Sequence, residues 1–434
     1  MPSPAATFPE WIAPAHPGPV LVGFSGGLDS TVLLHALAAC TRTRDGGLRA
    51  LHVHHGLHPD ADAWAGHCAA VCAALDVPLE TVRVHVALAA GDGPEGAARR
   101  ARHAAFERAL RAGELLALAH HRDDQAETVL LRLLRASGPD GLAAMRPWRR
   151  CGRGWLWRPL LATPRDALRG AAQDLAWIED PGNGDEALDR NFLRLRVLPR
   201  LRERWPSADA ALARVAALQD ETVALLRAED AAALARCRTP AADVLMLPAL
   251  RESPAARRAR VLRDWVQALG LPPLPAGGVD RIERELLPAA ADTEARYAWS
   301  GARIVRWRDL LHAGRDPIAL PADWSVAWDG AAMTLPGGDL LRLECADGPP
   351  PPRRMRVHAR VGGERIALPN RRHSHALKHV LQALGVPPWE RTALPLVSDG
   401  QGTLLAAGDL VYSGEFDDWL RAHRARIRWR RAGT

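Results

Sequence analysis

Hydrophobic positions in the first third of the chain follow two alternating patterns. Short apolar runs, typical of buried strands, are each followed by a longer segment with helical periodicity. The strand candidates are PVLVGF (19–24), LRALHVHHG (48–56), LETVRVHV (79–86) and LLALAHH (115–121). Helices are expected from about Ser30 to Cys40 and over residues 61–75, 93–113 and 123–136. This alternation predicts an α/β fold with a doubly wound parallel sheet.

The pattern changes in the rest of the chain. Residues 205–315 look helical and are rich in Ala, Leu and Arg, whereas proline and glycine interrupt residues 316–352, which we interpret as a linker with short strands. Strand candidates reappear at RVGGERI (360–366) and LLAAGDLVYS (404–413). We expect three domains: a Rossmann-like nucleotide-binding domain at 1–204, a helical middle domain with a linker at 205–352, and a small basic α+β domain at 353–434.

Composition places the chain among ordinary globular proteins. Hydrophobic residues make up 47% and charged residues 25% of its 434 residues. No apolar run approaches the roughly 20 residues of a membrane span, and the first residues lack the features of a secretory signal. We therefore expect a cytoplasmic protein without a membrane partner.

The charge of the chain is compatible with a nucleic-acid partner, and its cysteines do not indicate a disulfide framework. The formal net charge is +7, and Lys378 is the only lysine, so arginine supplies the excess. Guanidinium groups suit bidentate phosphate contacts, which is compatible with a nucleic-acid partner, although a GC-rich coding sequence also explains the bias. The six cysteines are scattered, and Cys68 and Cys72 are more simply explained as buried thiols than as metal ligands.

Polar residues follow three of the predicted strands. They occur at Ser25–Ser30, at His54 and His55, and at His120–Asp124. Because ligands of doubly wound sheets bind at the carboxyl ends of the strands, these residues predict one binding site.

The first of these segments, SGGLDS (25–30), has the features of a phosphate-binding loop. Gly26 and Gly27 let the backbone approach an anion, and the helix that follows adds its N–H groups. No lysine is available for β- and γ-phosphates, which suits a pyrophosphate that leaves whole after attack at the α-phosphate. Asp29 is unusual beside phosphates unless it holds a magnesium ion.

An acidic cluster follows the fourth strand. Asp123, Asp124 and Glu127 open a helix, and Asp124 and Glu127 share one of its faces. These carboxylates could hold an ammonium group and accept its proton, or they could simply complement the helix N-terminus. His52 and His54 share one strand face, and with His55 they favour a nucleotide-pocket wall over a metal site.

Two arginines are candidates for contact with substrate, whereas Arg99, on a helix with repeating basic side chains, could belong to a solvated face. Arg190 and Arg194 are one turn apart. They could clamp a phosphate or a substrate carboxylate, or pair with the nearby acids Asp189 and Glu186.

Basic residues are concentrated near the C-terminus. Between Arg353 and Lys378, seven arginines and one lysine occur with Glu364 as the only acid, and the tail WLRAHRARIRWRRAGT interleaves cations with tryptophans. This composition suits phosphate contact and base stacking, although a solvated tail remains the alternative. We expect this part of the chain to contact RNA.

The motifs together resemble one family. SGGLDS resembles the signature of the PP-loop ATP pyrophosphatases. The wider set is similar to the tRNA(Ile)-lysidine synthetases: HVHHGL (52–57), EGAAR (95–99), residues 116–145, RPLL (158–161), residues 177–201, RVGGERI (360–366) and residues 377–397. His103, where a tyrosine is usual, and Gly182, in place of a usual serine, depart from the pattern.

The resemblance implies an activity. ATP would adenylate C2 of the wobble cytidine in a CAU-anticodon tRNA(Ile), and free L-lysine would then displace AMP to give lysidine. The implied residues are, for ATP, Ser25, Gly26, Gly27, Leu28, Asp29, Ser30, His54 and His121; for catalysis, Asp29, Asp124, Glu127, Arg99 and Arg190; for lysine or tRNA, Asp124, Glu127, Arg194, Arg365, Arg372 and Lys378; and for Mg²⁺, Asp29. A homodimer is left open.

Three other classes of protein share some of these features. A tRNA-thiolating PP-loop enzyme generally needs a cysteine pair near the loop, and the sequence has no C-x-x-C there. An amidotransferase-type synthetase needs a glutaminase cysteine or a partner subunit. A non-catalytic RNA-binding protein would not need the acidic cluster beside the loop.

Overall fold

The computed structural model describes residues 18–86, 93–289, 295–316, 318–346, 354–371 and 373–431. The chain divides into two compact units, Met1–Ala228 and Glu229–Thr434. Among the helices described, none has both the length and the apolar character needed to cross a bilayer.

The first unit is built on a six-stranded sheet. Its strands are β1 (Val20–Gly23), β2 (Leu48–His54), β3 (Leu79–Arg83), β4 (Leu115–Ala117), β5 (Trp148–Cys151) and β6 (Gly154–Trp157). Their order is β3-β2-β1-β4-β6-β5, and every pairing is parallel except that of β5 with β6. The expected doubly wound α/β fold is confirmed, with an antiparallel strand added at one edge.

Helices cover both faces of this sheet. The helices of residues 18–237 are α1 (Leu28–Ala39), α2 (Thr41–Asp45), α3 (Ala61–Ala74), α4 (Gly93–Ala109), α5 (Arg122–Leu134), α6 (Pro139–Leu142), α7 (Arg165–Ala171), α8 (Asp189–Phe192), α9 (Leu198–Arg204) and α10 (Ala208–Cys237), with a π-helical turn at Leu193–Val197. Those shown to pack on the sheet are α1, α3 and α7 on one face and α4 on the other. Val20 and Val22 belong to a buried cluster with residues of α1, α3 and α7, whereas Leu21 packs in a second cluster with Phe106 of α4. Alternate residues of β1 thus face opposite helical layers, which explains its uninterrupted apolar run.

The second unit contains more strand than the sequence suggests. Its helices are α11 (Leu247–Arg251), α12 (Ala255–Ala268), α13 (Ala276–Arg281), α14 (Leu377–Ala383), α15 (Pro388–Ala393) and α16 (Gly414–Ala422). Its strands are β7 (Val244–Met246), β8 (Arg296–Trp299), β9 (Ala302–Trp307), β10 (Leu310–Arg315), β11 (Ser325–Trp328), β12 (Met333–Thr334), β13 (Leu340–Cys345), β14 (Met355–His358), β15 (Arg365–Ile366), β16 (His375–Ala376), β17 (Leu396–Asp399), β18 (Leu404–Ala407), β19 (Val411–Tyr412) and β20 (Ala425–Arg430).

The helical region expected over 205–315 is present and also contains a small sheet that the sequence pattern did not indicate. Strands β7 to β10 form an antiparallel sheet in the order β7-β10-β9-β8. Trp265 of α12 and Ile304 of β9 are buried in the same cluster, so helices and sheet share one core. The strand signal was weak because these strands are short and β8 to β10 follow one another through tight turns.

The short strands expected before the linker are present and belong to a folded core, whereas residues 347–353 of the linker DGPPPPRR lie outside the described residues. Strand β11 pairs with β14, and β13 pairs with β20 at the end of the chain. Trp328 and Leu341 are buried in one cluster with Phe416 and Ile427. Proline and glycine here mark turns between strands whose partners are distant in sequence, which a local pattern cannot reveal. The boundaries of the three expected domains stay predictions.

We predict different effects on stability for the two adjacent loop glycines. Gly26 has φ of +82°, and an added Cβ would lie 2.5 Å from Ile178 Cδ1 and 2.9 Å from Cys68 Sγ. At Gly27 the backbone is extended and the nearest atom would be 3.6 Å away. Gly26→Ala should lower the free energy of unfolding by about 2 kcal/mol or more, and Gly27→Ala should change it by less than about 0.5 kcal/mol. Urea unfolding measures both, and equal effects would contradict the geometry.

Candidate active site

The loop after β1 is held in an open turn by its own hydroxyl groups. Ser25 Oγ lies 3.0 Å from Ser30 Oγ, and the Ser30 hydroxyl donates to Gly27 O at 3.0 Å. Gly27 precedes the first residue of α1, whose first N–H groups have no acceptor within the helix. Ile178 N donates to Gly26 O at 2.8 Å, so residues 177–180 brace the loop. The result is a turn able to bind an anion.

Asp29 and His121 connect this loop to α5. His121 Nε2 lies 3.6 Å from Asp29 Oδ2 and 3.4 Å from Asp124 Oδ2. Burial alone would raise the pKa of Asp29, but the hydrogen bond and charge of His121, with Arg165 and Arg194, lower it below the ordinary value. Asp29 is therefore ionised, and its Oδ1 is buried without a hydrogen-bond partner in the structure described.

His121 also caps α5. Its backbone N donates to Asp124 Oδ2 at 3.0 Å, and Asp124 N lies 3.4 Å from its Nδ1. A neutral ring that accepts at Nδ1 keeps its proton on Nε2, which faces Asp29. Burial disfavours the imidazolium, but Asp29, Asp124 and Asp123 together raise the pKa of His121 above its ordinary value.

Two carboxylates and two guanidinium groups form a single network beside this pair. Arg190 donates to Glu127 Oε2 at 2.7 Å and to Asp124 Oδ1 at 2.9 Å. Arg194 donates to Glu127 Oε1 at 2.6 Å and to Asp124 Oδ1 at 3.1 Å. We call Asp124, Glu127, Arg190 and Arg194 the charge network. The Glu127 side chain is 0% exposed, so its negative charge depends on these arginines.

The charge network replaces the local pairing considered for these arginines. Glu186 contacts Arg196, and Asp189 contacts Arg135. The shared face predicted for Asp124 and Glu127 is the one that the arginines contact. Sequence reasoning did not pair the arginines with these acids, because 63 and 67 residues separate Glu127 from Arg190 and Arg194.

The remaining residues expected at the nucleotide site lie in different surroundings. His54 is buried and its Nε2 lies 3.1 Å from Asp62 Oδ1 on α3. His52 Nδ1 lies 3.0 Å from Phe24 O, at the end of β1. Arg99 is exposed on α4. Their roles toward ATP or RNA stay predictions.

Three arginines that contact the predicted residues His120 and Asp123 were not themselves predicted as site residues: Arg158, Arg165 and Arg202. Arg158, of the RPLL motif, is buried and its Nε donates to His120 Nδ1 at 3.2 Å. Burial, together with Arg158 and other arginines, keeps the pKa of His120 well below its ordinary value. Asp123 accepts from Arg165 N at 3.0 Å and from Arg202 at 2.8 Å. These contacts join segments that no local motif relates.

Cys68 and Cys72 are buried thiols, as the simpler interpretation of the sequence expected. Cys68 and Cys72 are buried on α3, and burial raises the pKa of their thiols to about 12 and about 11. In the part of the chain that the structure describes, no group of three or more His, Cys, Asp or Glu side chains is arranged to hold a metal ion.

The predicted RNA-contacting residues lie on the second unit. Arg365 is exposed and donates to Ser374 Oγ at 2.9 Å, and Lys378 is exposed on α14. Arg372 lies outside the described residues. Arg426 and Arg428 of β20 contact Glu344, so their charge is partly neutralised.

The two tail tryptophans differ in their exposure. Trp429 is 9% exposed, lies on the buried face of β20 and donates through Nε1 to Asp339 at 2.9 Å, so its ring is not placed for base stacking. Trp419 is half-buried and stacks on buried Phe416, and its role toward RNA stays a prediction.

Three family models match the chain. The PP-loop domain matches residues 4–201, the TilS substrate binding domain matches residues 245–312, and the TilS substrate C-terminal domain matches residues 355–429. Together they cover the loop, the charge network and parts of the second unit.

Curated relatives are similar along nearly the whole chain. The tRNA(Ile)-lysidine synthase of Xanthomonas axonopodis pv. citri is 57% identical over 419 residues, covering 96% of this chain and 95% of the relative. The protein of the same name from Xylella fastidiosa strain Temecula1 is 52% identical and covers 95% of each chain. That of Escherichia coli O157:H7 is 40% identical and covers 90% of this chain and 92% of its own.

We predict that His121 makes stability depend on pH. Its pKa is raised above 6.5 in the folded chain, so its contribution is fully present below pH 6.5 and is lost as the pH rises through the folded pKa. His121→Asn keeps an N-cap residue but does not titrate. As the pH rises through this window, the free energy of unfolding measured with urea should fall for the unaltered chain relative to the variant. NMR should report the raised pKa of the His121 ring. An imidazole pKa at or below 6.5 would contradict the assignment.

Proposed function

The chain belongs to the tRNA(Ile)-lysidine synthase family, and from this we propose that it ligates free L-lysine to C2 of the wobble cytidine in CAU-anticodon tRNA(Ile). The resemblance drawn from the motifs is confirmed, and the chain is a ligase with an ATP-using PP-loop domain. The products are lysidine, AMP and pyrophosphate. The modified tRNA then decodes AUA rather than AUG and is charged with isoleucine rather than methionine.

The observation that carries this proposal is the position of the charge network beside the loop. His121 lies within 3.6 Å of Asp29 on the loop and within 3.4 Å of Asp124 in the network. An anion-binding turn and a carboxylate pair are the two sites that an adenylation followed by attack of an amine requires. The same constellation would be unnecessary in a protein that only binds RNA.

In the first step the loop binds the pyrophosphate portion of ATP. The N–H groups at the start of α1 and the turn at Gly26 and Gly27 leave the α-phosphate accessible. The C2 oxygen of the cytidine attacks this phosphorus, and pyrophosphate departs. Adenylation converts a poor electrophile into one that an amine can attack.

Asp29 fits a role in holding Mg²⁺. Its Oδ1 is buried, unpartnered and ionised, which is costly unless a cation is bound nearby. Magnesium is usually bound by one or two carboxylates together with phosphate oxygens and waters. When bound, the ion neutralises phosphate charge.

In the second step Asp124 and Glu127 bind the ε-ammonium of lysine. Arg190 and Arg194 balance the two carboxylates in the structure described. When lysine binds, its ammonium group donates hydrogen bonds to carboxylate oxygens that the arginines otherwise contact. The displaced guanidinium groups can then bind the lysine carboxylate or an RNA phosphate. A carboxylate accepts a proton from the ammonium, the amine attacks C2, and AMP departs.

Exposed cations of the second unit bind the tRNA. Arg365 and Lys378 belong to the same basic segment, and Arg372 lies between them in sequence. Phosphate contacts there would position the tRNA without reading its sequence. Arg99 is a further candidate for contact with the adenylate or the RNA.

Label transfer tests the proposal directly. The chain is incubated with ATP, labelled lysine and a CAU-anticodon tRNA(Ile) transcript. Label should enter this RNA, and it should not enter a matched transcript with uridine at the wobble position. Absence of label from both transcripts, with ATP–pyrophosphate exchange intact, would overturn the assignment of lysine as substrate.

We predict that the carboxylates act in the lysine step. Glu127→Gln and Asp124→Asn should raise the lysine concentration for half-maximal rate by about 10- to 100-fold, because each loses a charge-assisted contact. Adenylated RNA is trapped without lysine and then chased with lysine. Glu186→Gln, at an exposed acid, is the control and should behave as the unaltered chain. Variants that chase normally but adenylate poorly would place these carboxylates at the ATP site instead.

We also predict that Arg365 and Lys378 contribute to salt-dependent tRNA binding. Replacing both by alanine should reduce the slope of log affinity against log salt by about 0.7–0.9 for each lost phosphate contact. Arg281→Ala, at an exposed arginine paired with Glu285 on the second unit, is the control. Point variants avoid deleting residues 353–434, which would remove the partners of β11 and β13. An unchanged slope would leave both cations as solvated surface.

A further inference from the structure

The side chains of the loop do not supply the positive charge that binding of a pyrophosphate requires. A pyrophosphate carries several negative charges, and residues 25–30 contain no lysine or arginine. The N–H groups of α1 supply only partial charges. A cation of this chain that balances the leaving pyrophosphate must therefore come from another segment.

Unpartnered buried atoms mark such a segment. Among the described residues, seven buried side-chain nitrogen and oxygen atoms lack a hydrogen-bond partner. Four of them are Asp29 Oδ1, Arg122 Nε, Thr163 Oγ1 and Arg165 Nε. Buried polar groups are nearly always satisfied, so a local concentration of exceptions indicates a missing ligand.

Backbone contacts bring these residues to the loop acid. Arg122 N donates to Thr163 O at 2.9 Å, and Arg165 N donates to Asp123 Oδ1 at 3.0 Å. Asp123 Oδ1 is 3.8 Å from His121 Nδ1, whose other ring nitrogen lies 3.6 Å from Asp29. The two arginines are therefore fixed through their backbones, which leaves their side chains available.

Electrostatics supports this placement of Arg165. Burial tends to raise the pKa of Asp29, but His121 lowers it, and the charge of Arg165 contributes to the same lowering. Its guanidinium group is thus close enough to the loop to act on charge there. Arg169, one turn further along α7, is exposed, so its substitution is a suitable control for that of Arg165.

We propose that Arg165, assisted by Arg122 and Thr163, binds the pyrophosphate of ATP and stabilises it as the leaving group. This inference rests on the proposed function and assigns residues to its first step. As the C2 oxygen bonds to the α-phosphorus, the bond from that phosphorus to the bridging oxygen breaks. The electron pair passes to that oxygen, and the guanidinium N–H groups donate to the departing pyrophosphate.

Binding measurements with three ligands test the assignment. Titration calorimetry compares inorganic pyrophosphate, ATP and AMP on the full chain, because AMP lacks the β- and γ-phosphates. Arg165→Ala should lower the affinity for pyrophosphate and for ATP by about 10- to 100-fold and leave the affinity for AMP unchanged. Arg165→Lys should restore part of the loss, and Arg169→Ala should match the unaltered chain for all three ligands.

The outcomes separate this inference from the proposed function. The assignment of Arg165 would be overturned if Arg165→Ala bound pyrophosphate with unchanged affinity, or if its affinity for AMP fell as much as its affinity for pyrophosphate. Either result would do so even if the unaltered chain forms lysidine. If no lysine enters tRNA but pyrophosphate binding depends on Arg165, the substrate assignment fails and the phosphate site stands. Urea unfolding shows whether each variant is folded. If Arg165→Ala does not fold, Arg122→Gln takes its place, and it should also lower the affinity for pyrophosphate.

Discussion

The buried negative charge of Glu127 is the constraint on which the site depends. Its side chain is fully buried, and an unpaired carboxylate there would cost several kcal/mol, so it needs cationic partners, which Arg190 and Arg194 supply in the structure described. These arginines fix residues 189–194 against α5. Asn191, between them, donates to the carbonyls of Gly182 and Asp185 and orders the preceding turn. Loop, helix and arginine segment therefore form one structure.

His121 links the two halves of the proposed reaction. One ring nitrogen faces both Asp29, which belongs to the phosphate loop, and Asp124, which belongs to the charge network. Acidic neighbours raise its pKa, so the ring can carry charge between two carboxylates that would otherwise repel. His121 therefore brings Asp29 of the loop next to Asp124 of the charge network.

Local sequence patterns predicted the parts of the molecule that local physics determines. The buried strands, the glycine turn and the shared face of Asp124 and Glu127 follow from periodicity and from residue type. The charge network, the contact of Ile178 with Gly26 and the pairing of β13 with β20 join residues far apart in the chain, and no window of sequence contains both partners. Trp429 was misassigned because composition does not reveal which face of a strand is buried.

The central claim is that the charge network is one preorganised unit. A double-mutant cycle tests it, with Glu127→Gln, Arg194→Gln and the double variant compared by urea unfolding. The account predicts a coupling energy of about 1.5–3 kcal/mol, because either single change removes one of the two charged partners of a buried group. A coupling below about 0.5 kcal/mol would contradict it and show that the two side chains contribute independently.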